Sequence, residues 1–115
     1  MARRITLEQV RRIALALPEA EEGTSYGTPA FKVRGKLFLR LKEDGTTLVA
    51  KVDRDERTAL ITTAPDIYSV TDHYRNHPWI LVSLAHVSIA ELEERVTDAW
   101  RMTAPAKLRA QFDAG

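Results

Sequence analysis

The hydrophobic positions near the N-terminus follow a helical spacing. Four apolar residues recur three or four positions apart: Leu7, Val10, Ala14 and Leu17. Such spacing places them on one face of a helix. Thr6 and Gln9 have the spacing of a capping box, in which each side chain satisfies a backbone N–H of the other residue. Because Pro18 disfavours helical geometry at the residue before it, the pattern predicts a helix from about Leu7 to Leu17.

From about Pro29 to Val52 the hydrophobic period changes to two, which is typical of half-buried strands. Asp44-Gly45 is a strong signal for a two-residue hairpin turn, because both central residues of such a turn need positive φ. With that turn, three apolar pairs share one face: Leu41 with Leu48, Leu39 with Ala50, and Leu37 with Val52. The preceding stretch, Glu19 to Pro29, is rich in turn-forming residues. We therefore expect a three-stranded antiparallel meander that begins after a loop.

The first hairpin of this meander turns near Arg34-Gly35, and two loop lengths are open. A two-residue loop at Arg34-Gly35 places Phe31 and Val33 on the face opposite the leucines. A three-residue loop that includes Lys36 places them on the leucine face and leaves Lys32 outside. We favour the three-residue loop, because burial of an apolar face determines register more strongly than turn chemistry does.

Helices and short strands alternate in the second half of the chain. Asp53 with Glu56, and Ser88 with Glu91, have capping-box spacing and predict two helix starts. The predicted elements are a helix from Asp53 to about Thr63, strands at Ile67 to Val70 and Trp79 to Leu84, a helix from Ser88 to about Met102, and a helical turn from Pro105. The order α-βββ-α-ββ-α, with an antiparallel sheet and helices on one face, predicts a two-layer α+β fold. A length of 115 residues fits one domain, residues 1–115.

Charge and composition exclude several functional classes. Seventeen Lys and Arg residues nearly balance sixteen Asp and Glu residues, and a net charge of +1 is low for a dedicated nucleic-acid binder. The chain has no cysteine, which excludes disulfides and thiolate zinc sites. No continuous apolar stretch follows the basic N-terminus, and no run is long enough to span a membrane. We therefore expect a cytoplasmic location and no membrane partner.

Catalytic and metal-binding patterns are weak in this sequence. His73 and His77 are four residues apart and would share a face if they were helical, as metal ligands do. The alternative is a polar loop, which Asn76 and Pro78 favour. No serine lies in a Gly-x-Ser-x-Gly turn, and Ser88 is better explained as a helix cap. We expect no enzymatic activity, no metal and no cofactor.

The outward face of the predicted meander is basic. In the favoured register it carries Lys32, Phe38, Arg40, Lys42 and Lys51, with Arg34 and Lys36 at the hairpin tip. Lysine and arginine on a rigid element can neutralise phosphates and release counterions, and a β-ribbon can enter a DNA groove. The competing interpretation is an ordinary solvated sheet face, on which lysine discourages edge-to-edge aggregation.

Five segments resemble the MmcQ/YjbR-like family. They are Leu17 to Ala20 (LPEA), Gly27 to Val33 (GTPAFKV), Gly35 to Phe38 (GKLF), His77 to Leu84 (HPWILVSL) and Trp100 to Leu108 (WRMTAPAKL). The resemblance implies a two-layer fold like that of secretion chaperones and frataxin-related proteins, and DNA binding through a double-wing motif. It makes the Val33-to-Lys36 hairpin one wing. The Lys42-to-Thr47 hairpin carries Glu43 and Asp44 at its tip, where they would repel phosphate.

The leading functional hypothesis is a non-enzymatic DNA-binding or DNA-associated protein that binds weakly and without reading sequence. In it, phosphates contact Lys32, Arg34, Lys36, Arg40 and Lys51, and Phe38, as an exposed aromatic residue, offers a stacking or packing surface. The comparison with secretion chaperones implies an alternative, a protein-interaction module, dimeric in form, with an apolar patch around Phe38, Trp79 and Leu81. A third alternative, a small-molecule binder or minor enzyme, needs a pocket that converges on His73, His77 or Tyr26. Frataxin-like iron binding is disfavoured, because the first helix carries Arg11 and Arg12 where an acidic ridge is needed.

Overall fold

The computed structural model describes residues 4–115, which form four helices and one six-stranded antiparallel sheet. Residues 1–3, part of the N-terminal stretch considered above, lie outside the described residues. The elements are α1 (Leu7–Leu15), β1 (Ala20–Ser25), β2 (Thr28–Val33), β3 (Lys36–Leu41), β4 (Thr47–Lys51), α2 (Arg54–Thr63), β5 (Tyr68–Ser69), β6 (Trp79–Ser83), α3 (Ile89–Thr103) and α4 (Ala106–Ala114). The strand order is β1-β2-β3-β4-β6-β5, and the predicted α+β class is confirmed. Within residues 4–115, no helix is both long and apolar enough to cross a membrane.

Side-chain caps determine where the helices begin. The Gln9 N–H donates to Thr6 Oγ1 at 3.2 Å and the Thr6 N–H donates to Gln9 Oε1 at 2.9 Å, so the predicted capping box is complete. Asp53 and Ser88 likewise accept hydrogen bonds from backbone N–H groups in the first turns of α2 and α3. Each cap satisfies donors that have no partner inside the helix. The predicted starts of these three helices are therefore confirmed, although α1 ends at Leu15 rather than at Leu17.

The first half of the sheet is a four-stranded meander. Strand β1 lies in the stretch that was expected to be a loop, and it pairs with β2 in antiparallel register. Four of its six residues are exposed, so it lacks the hydrophobic alternation that marks a half-buried strand. Tyr26 and Gly27 form the turn between the two strands, with φ angles of 54° and 79°. Positive φ at both positions is the geometry of a type I′ hairpin turn.

The hairpin between β3 and β4 has the predicted register but a different turn. The predicted pairs Leu39 with Ala50 and Leu41 with Leu48 are present. The Lys42 N–H donates to the Thr47 carbonyl at 2.8 Å, so the loop spans residues 43–46 instead of two residues. Asp44 Oδ1 accepts from the N–H groups of residues 46 and 47 at 2.9 and 3.0 Å. This aspartate stabilises the turn by bonding to the backbone ahead of it.

A β-bulge resolves the ambiguous hairpin between β2 and β3. Arg34 and Gly35 have φ angles of 51° and 80°, and Val33 pairs with Lys36. The loop therefore has two residues, and the prediction of a three-residue loop is wrong. An extra residue on β3, Phe38, then shifts the register by one position. The turn follows its local glycine chemistry, and the bulge restores the register that the core requires.

The bulge exchanges the environments of two neighbouring residues. Phe38 is 0% exposed and belongs to the core cluster, together with Phe31 and Leu39, which pair across the two strands. Leu37 instead lines a cavity on the opposite sheet face. The predictions that Phe38 is exposed and that Leu37 packs inside opposite Val52 are both wrong. A single inserted residue reverses which side chain faces the core, because strand side chains alternate between faces.

The core lies between the sheet and the helices. Helix α3 packs across β3 and β4, and α1 packs against β1 and α3. The largest fully buried side chains are Trp100, Tyr68, Phe31, Phe38 and Leu39. The Trp100 indole N–H donates to the Pro18 carbonyl at 3.0 Å, which satisfies its one polar group. The helices therefore cover one face of the sheet, and side chains and turns occupy the other face.

Candidate functional site on the outer sheet face

The sheet face opposite the helices, here called the outer face, carries a groove. Strands β3, β4 and β6, the β1–β2 turn and the segment 71–78 contribute its lining: Tyr26, Leu37, Arg40, Val49, His73, Tyr74, His77 and Trp79. This set is called the outer groove, with a volume of about 340 Å³. An adjoining cavity of about 520 Å³ shares Tyr26, Arg40, His73 and Tyr74 with it and extends to Lys42. The groove therefore runs along the outer face from Lys42 to Trp79.

Arg40 lies at the centre of the groove and is only 5% exposed. Its guanidinium donates to four acceptors at 3.0–3.2 Å: Thr28 Oγ1, the Leu41 carbonyl, Glu43 Oε1 and the Tyr74 hydroxyl. Burial lowers the pKa of Arg40, but the bonds to Tyr74 and Glu43 outweigh it and leave the pKa above its ordinary value. Arg40 lies on the predicted basic face, but its guanidinium is enclosed rather than projecting. It ties the β3 strand to the wall of the groove.

Tyr26 stands at one end of the groove in a strained conformation. Its side chain is among the most exposed large hydrophobic groups, with 85% of its surface accessible, and its ring centroid lies 5.4 Å from the Arg40 guanidinium carbon. A φ of 54° is unfavourable for a bulky residue and costs about 1–3 kcal/mol. Asn or Gly would adopt this φ in the β1–β2 turn at a lower energetic cost. The turn alone therefore does not explain why a tyrosine occupies it.

A buried arginine of α2 holds the opposite wall. Arg57 is 9% exposed and donates at 2.8–3.2 Å to four backbone carbonyls, those of Tyr74, Arg75, His77 and Trp79. These bonds satisfy a buried charge with backbone acceptors, and they determine the path of the segment that carries the groove residues. Sequence reasoning missed this residue, since it lies on a helix with no obvious site motif.

The histidine pair does not adopt the helical geometry that a metal site needs. Segment 72–78 is a series of turns, with hydrogen bonds from the Arg75 N–H to the Asp72 carbonyl and from the His77 N–H to the Tyr74 carbonyl. This agrees with the polar-loop interpretation of His73 and His77. Within the part of the chain that the structure describes, no group of three or more His, Cys, Asp or Glu could hold a metal ion. Both rings instead line the outer groove.

Three half-buried lysines lie on the outer face. Lys32, Lys42 and Lys51 share this face with their cross-strand partners Leu37, Thr47 and Trp79, and Lys32 also lies opposite Glu21 of β1. Among residues 4–115, no carboxylate oxygen lies within 4.0 Å of these three ammonium groups. The Lys51 ammonium lies 5.0 Å from the centroid of the Trp79 ring. The outer face thus combines unpaired positive charge with aromatic surface.

The two hairpin tips differ from this face, because each tip carries a carboxylate that is bonded to an arginine. Arg34 donates to both carboxylate oxygens of Glu19 at 2.5 and 3.0 Å, and this bonding holds the pKa of Glu19 below its usual value. At the other tip, Glu43 bonds to Arg40, and this hydrogen bond lowers the pKa of Glu43. Lys36 sits at the first tip opposite Val33, whose side chain points into the core. Each tip therefore presents an ion-paired carboxylate, whereas Lys36 is exposed and has no carboxylate oxygen within 4.0 Å among residues 4–115.

The structure separates the six residues that were predicted to contact DNA. Lys32 and Lys51 are half-buried on the outer face, Lys36 and Arg34 are exposed at the hairpin tip, and Arg40 is enclosed. The predicted role of Phe38 as an exposed stacking surface is wrong, because the bulge buries it. The apolar patch predicted for a protein partner is reduced too, since Leu81 is buried as well. Tyr26 and Trp79 supply the accessible aromatic surface instead.

Comparisons with known proteins agree with the fold. The crystal structure of Deinococcus radiodurans protein DR2400, a DUF419 domain protein, superposes with a TM-score of 0.73 at 22% identity, covering 84% of this chain and 77% of that one. The uncharacterized proteins Rv2570 of Mycobacterium tuberculosis and Mb2600 of Mycobacterium bovis are each 40% identical over 60 residues, which is 52% of this chain. The chain spans about half the length of these curated relatives, since the match covers 46% of each. A family model described as YjbR matches residues 15–102, which is most of the chain, and the chain therefore belongs to the YjbR family.

Proposed function

We propose that this protein is a non-enzymatic DNA-binding protein that contacts phosphates through its outer sheet face, weakly and without reading sequence. The observation that carries the proposal is the set of three lysines, Lys32, Lys42 and Lys51, with no carboxylate within 4.0 Å among residues 4–115. Lysine that is not already paired can neutralise a phosphate and release the counterion that was condensed there. The resemblance to double-wing DNA-binding proteins supports the same class of partner.

The charge distribution favours the sheet face over the hairpin tips as the contact surface. A phosphate approaching Arg34 meets Glu19, which already occupies the guanidinium. A phosphate approaching the β3–β4 turn meets Glu43 and Asp44. The hydrogen bond from Arg40 lowers the pKa of Glu43. Burial raises the pKa of Asp44, but hydrogen bonds from residues 46 and 47 outweigh it and leave that pKa below the ordinary value. Both groups therefore stay negatively charged at neutral pH. These carboxylates weaken the attraction of phosphate at the tips, and the lysines of the outer face direct the phosphate backbone along the strands.

The test is salt-dependent binding with matched charge reversals. Fluorescence anisotropy of a labelled oligonucleotide should give a plot of log K against log[salt] with a slope of about −2 to −3 for three phosphate contacts. The double variant Lys32→Glu/Lys51→Glu should bind at least about tenfold more weakly at low salt and show a shallower slope. Arg12→Glu/Lys107→Glu is the control, because it makes the same change in net charge at exposed positions on α1 and α4.

Two results would contradict the proposal. One is the absence of detectable binding by the unmodified protein at low salt. The other is an equal loss of binding in the outer-face variant and in the control, which would mean that only net charge matters. Circular dichroism of both double variants checks that the fold is retained.

A further inference from the structure

The outer groove has a size and lining that phosphate contact alone does not require. Its volume of about 340 Å³ lies within the range of about 300–1,000 Å³ that is typical of sites for organic ligands. Tyr26, Tyr74 and Trp79 provide aromatic surface, and Leu37 and Val49 provide apolar surface. A flat sheet face that binds only phosphates needs exposed cations but no cavity. The lining therefore suits a planar aromatic group with polar edges, placed between the phosphates.

From this lining we infer that the outer groove binds an unstacked base of a single-stranded nucleic acid, with the adjoining phosphates at the lysines. The inference rests on the proposed function and makes its substrate class specific. Aromatic side chains that stack on bases, combined with cations that follow the backbone, are how proteins bind single strands without strong sequence preference. In a duplex the bases are paired and stacked inside, where they cannot enter a cavity on a protein surface.

The positions of the cations support a strand that runs along the groove. Lys42 adjoins the Tyr26 end, where it lines the larger cavity, and Lys51 lies beside Trp79 at the other end. Thr47, the partner of Lys42, and Lys51 are four residues apart on β4, which corresponds to about 13 Å along a strand. Among residues 4–115, Arg40 is the only cation enclosed between these two lysines, and its guanidinium is already bonded to Glu43. Lys51 therefore supplies positive charge at the Trp79 end. Lys42 supplies it at the Tyr26 end, where Glu43 lines the same cavity but is already paired with Arg40. This arrangement complements a base between two phosphates.

Tyr26 is the residue on which the inference can be tested most sharply. Its ring is 85% exposed on a turn whose φ angles, 54° and 79°, suit Asn-Gly. Tyr26→Asn therefore removes the aromatic ring and relieves the backbone, so a loss of binding cannot be attributed to misfolding. Tyr26→Phe keeps the ring and is the matched control. Trp79 is half-buried and Trp100 is 0% exposed, so quenching by a stacked base reports on Trp79.

The experiment compares oligo(dT) with a hairpin duplex of equal phosphate number at one salt concentration, using anisotropy and tryptophan quenching. We expect the protein to bind the single strand at least tenfold more tightly and to show quenching with that strand. Tyr26→Asn should weaken single-strand binding by about 5–150-fold, the range for one stacked base, and leave duplex binding unchanged. Tyr26→Phe should stay within about twofold of the unmodified protein, because it retains the stacking ring.

Five results would overturn the inference. Equal affinity for single strand and duplex, or unchanged binding by Tyr26→Asn, would do so while leaving the salt-dependent phosphate contact of the proposed function intact. Thymidine monophosphate that binds as tightly as oligo(dT) would assign the groove to free nucleotides. A dimer in light scattering that Tyr26→Asn dissociates would assign it to a second copy of this chain. Absence of binding to either nucleic acid would remove the proposed function as well.

Discussion

The β-bulge on β3 decides which of two adjacent residues stabilises the core, and paired alanine substitutions test it. Phe38 is 0% exposed in the core cluster, whereas Leu37 is half-buried beside the outer groove. Phe38→Ala should lower the free energy of unfolding by about 3–5 kcal/mol, because it removes buried apolar surface and leaves a cavity. Leu37→Ala should lower it by about 1 kcal/mol, roughly half the value for a fully buried leucine. Without the bulge this order would be reversed.

Urea unfolding, followed by far-UV circular dichroism and by the fluorescence of the buried Trp100, measures both changes. The total stability of a domain is about 5–15 kcal/mol, so the loss in Phe38→Ala is a large share of it. Phe38→Leu keeps most of the volume and provides a folded variant if the alanine form is too unstable to measure. Its cost should be less than about 1.5 kcal/mol. A Leu37→Ala variant that loses as much stability as Phe38→Ala would refute the bulged register.

Three further predictions concern other parts of the fold. Burial, and then the hydrogen bond to Glu91, raise the pKa of the Tyr68 hydroxyl. An unfolded tyrosine ionises at pH ~10, so the contribution of Tyr68 to the free energy of unfolding is complete below that pH. This contribution is lost as the pH rises further. Tyr68→Phe should therefore flatten the fall in stability above pH ~10, measured by urea unfolding. Arg57→Met should speed hydrogen–deuterium exchange of segment 71–78 and cost at least about 2 kcal/mol, because four carbonyls lose their donor. Thr6→Ala should cost about 1 kcal/mol in thermal unfolding, because the α1 cap is lost.

Each of these predictions has a result that contradicts it. For Tyr68, it is the same dependence of the free energy of unfolding on alkaline pH in Tyr68→Phe and in the unmodified protein. For Arg57, it is unchanged exchange in segment 71–78, with exchange in α1 as the internal control. For Thr6, Thr6→Ser retains the hydroxyl and should keep most of the stability; a serine variant as unstable as the alanine variant would mean that the cap is not the cause.

Local chemistry made several elements predictable from the sequence. Each helix cap lies within three residues of the backbone groups that it satisfies. All three predicted caps, at Thr6, Asp53 and Ser88, are present in the structure. The Leu39–Ala50 and Leu41–Leu48 pairs were predictable because the alternation of apolar residues and a nearby turn agree. The basic character of Lys32, Lys42 and Lys51 on one face followed from the same alternation.

The candidate site was less predictable, because it depends on groups far apart in the chain. The hydrogen bond from Arg40 to the Tyr74 hydroxyl joins residues 34 positions apart. The bonds from Arg57 end on backbone carbonyls 17–22 positions away, and every residue has such a carbonyl, so no side-chain pattern marks them. Strand β1 was missed because its pairing with β2, rather than its own hydrophobicity, makes it a strand.

The sequence by itself determined the α+β class, the capped helix starts, the apolar pairs of the β3–β4 hairpin and the family to which the chain is similar. These depend on spacing over a few residues, which the chain carries directly. Only the tertiary structure decided that Phe38 is inside and Leu37 outside, because a one-residue bulge reverses the face of every side chain next to it. Only the tertiary structure brought Tyr26 and Trp79 to one groove on the outer face. Their proximity follows from strand order and from the Arg57 bonds, which are long-range contacts that local patterns do not encode.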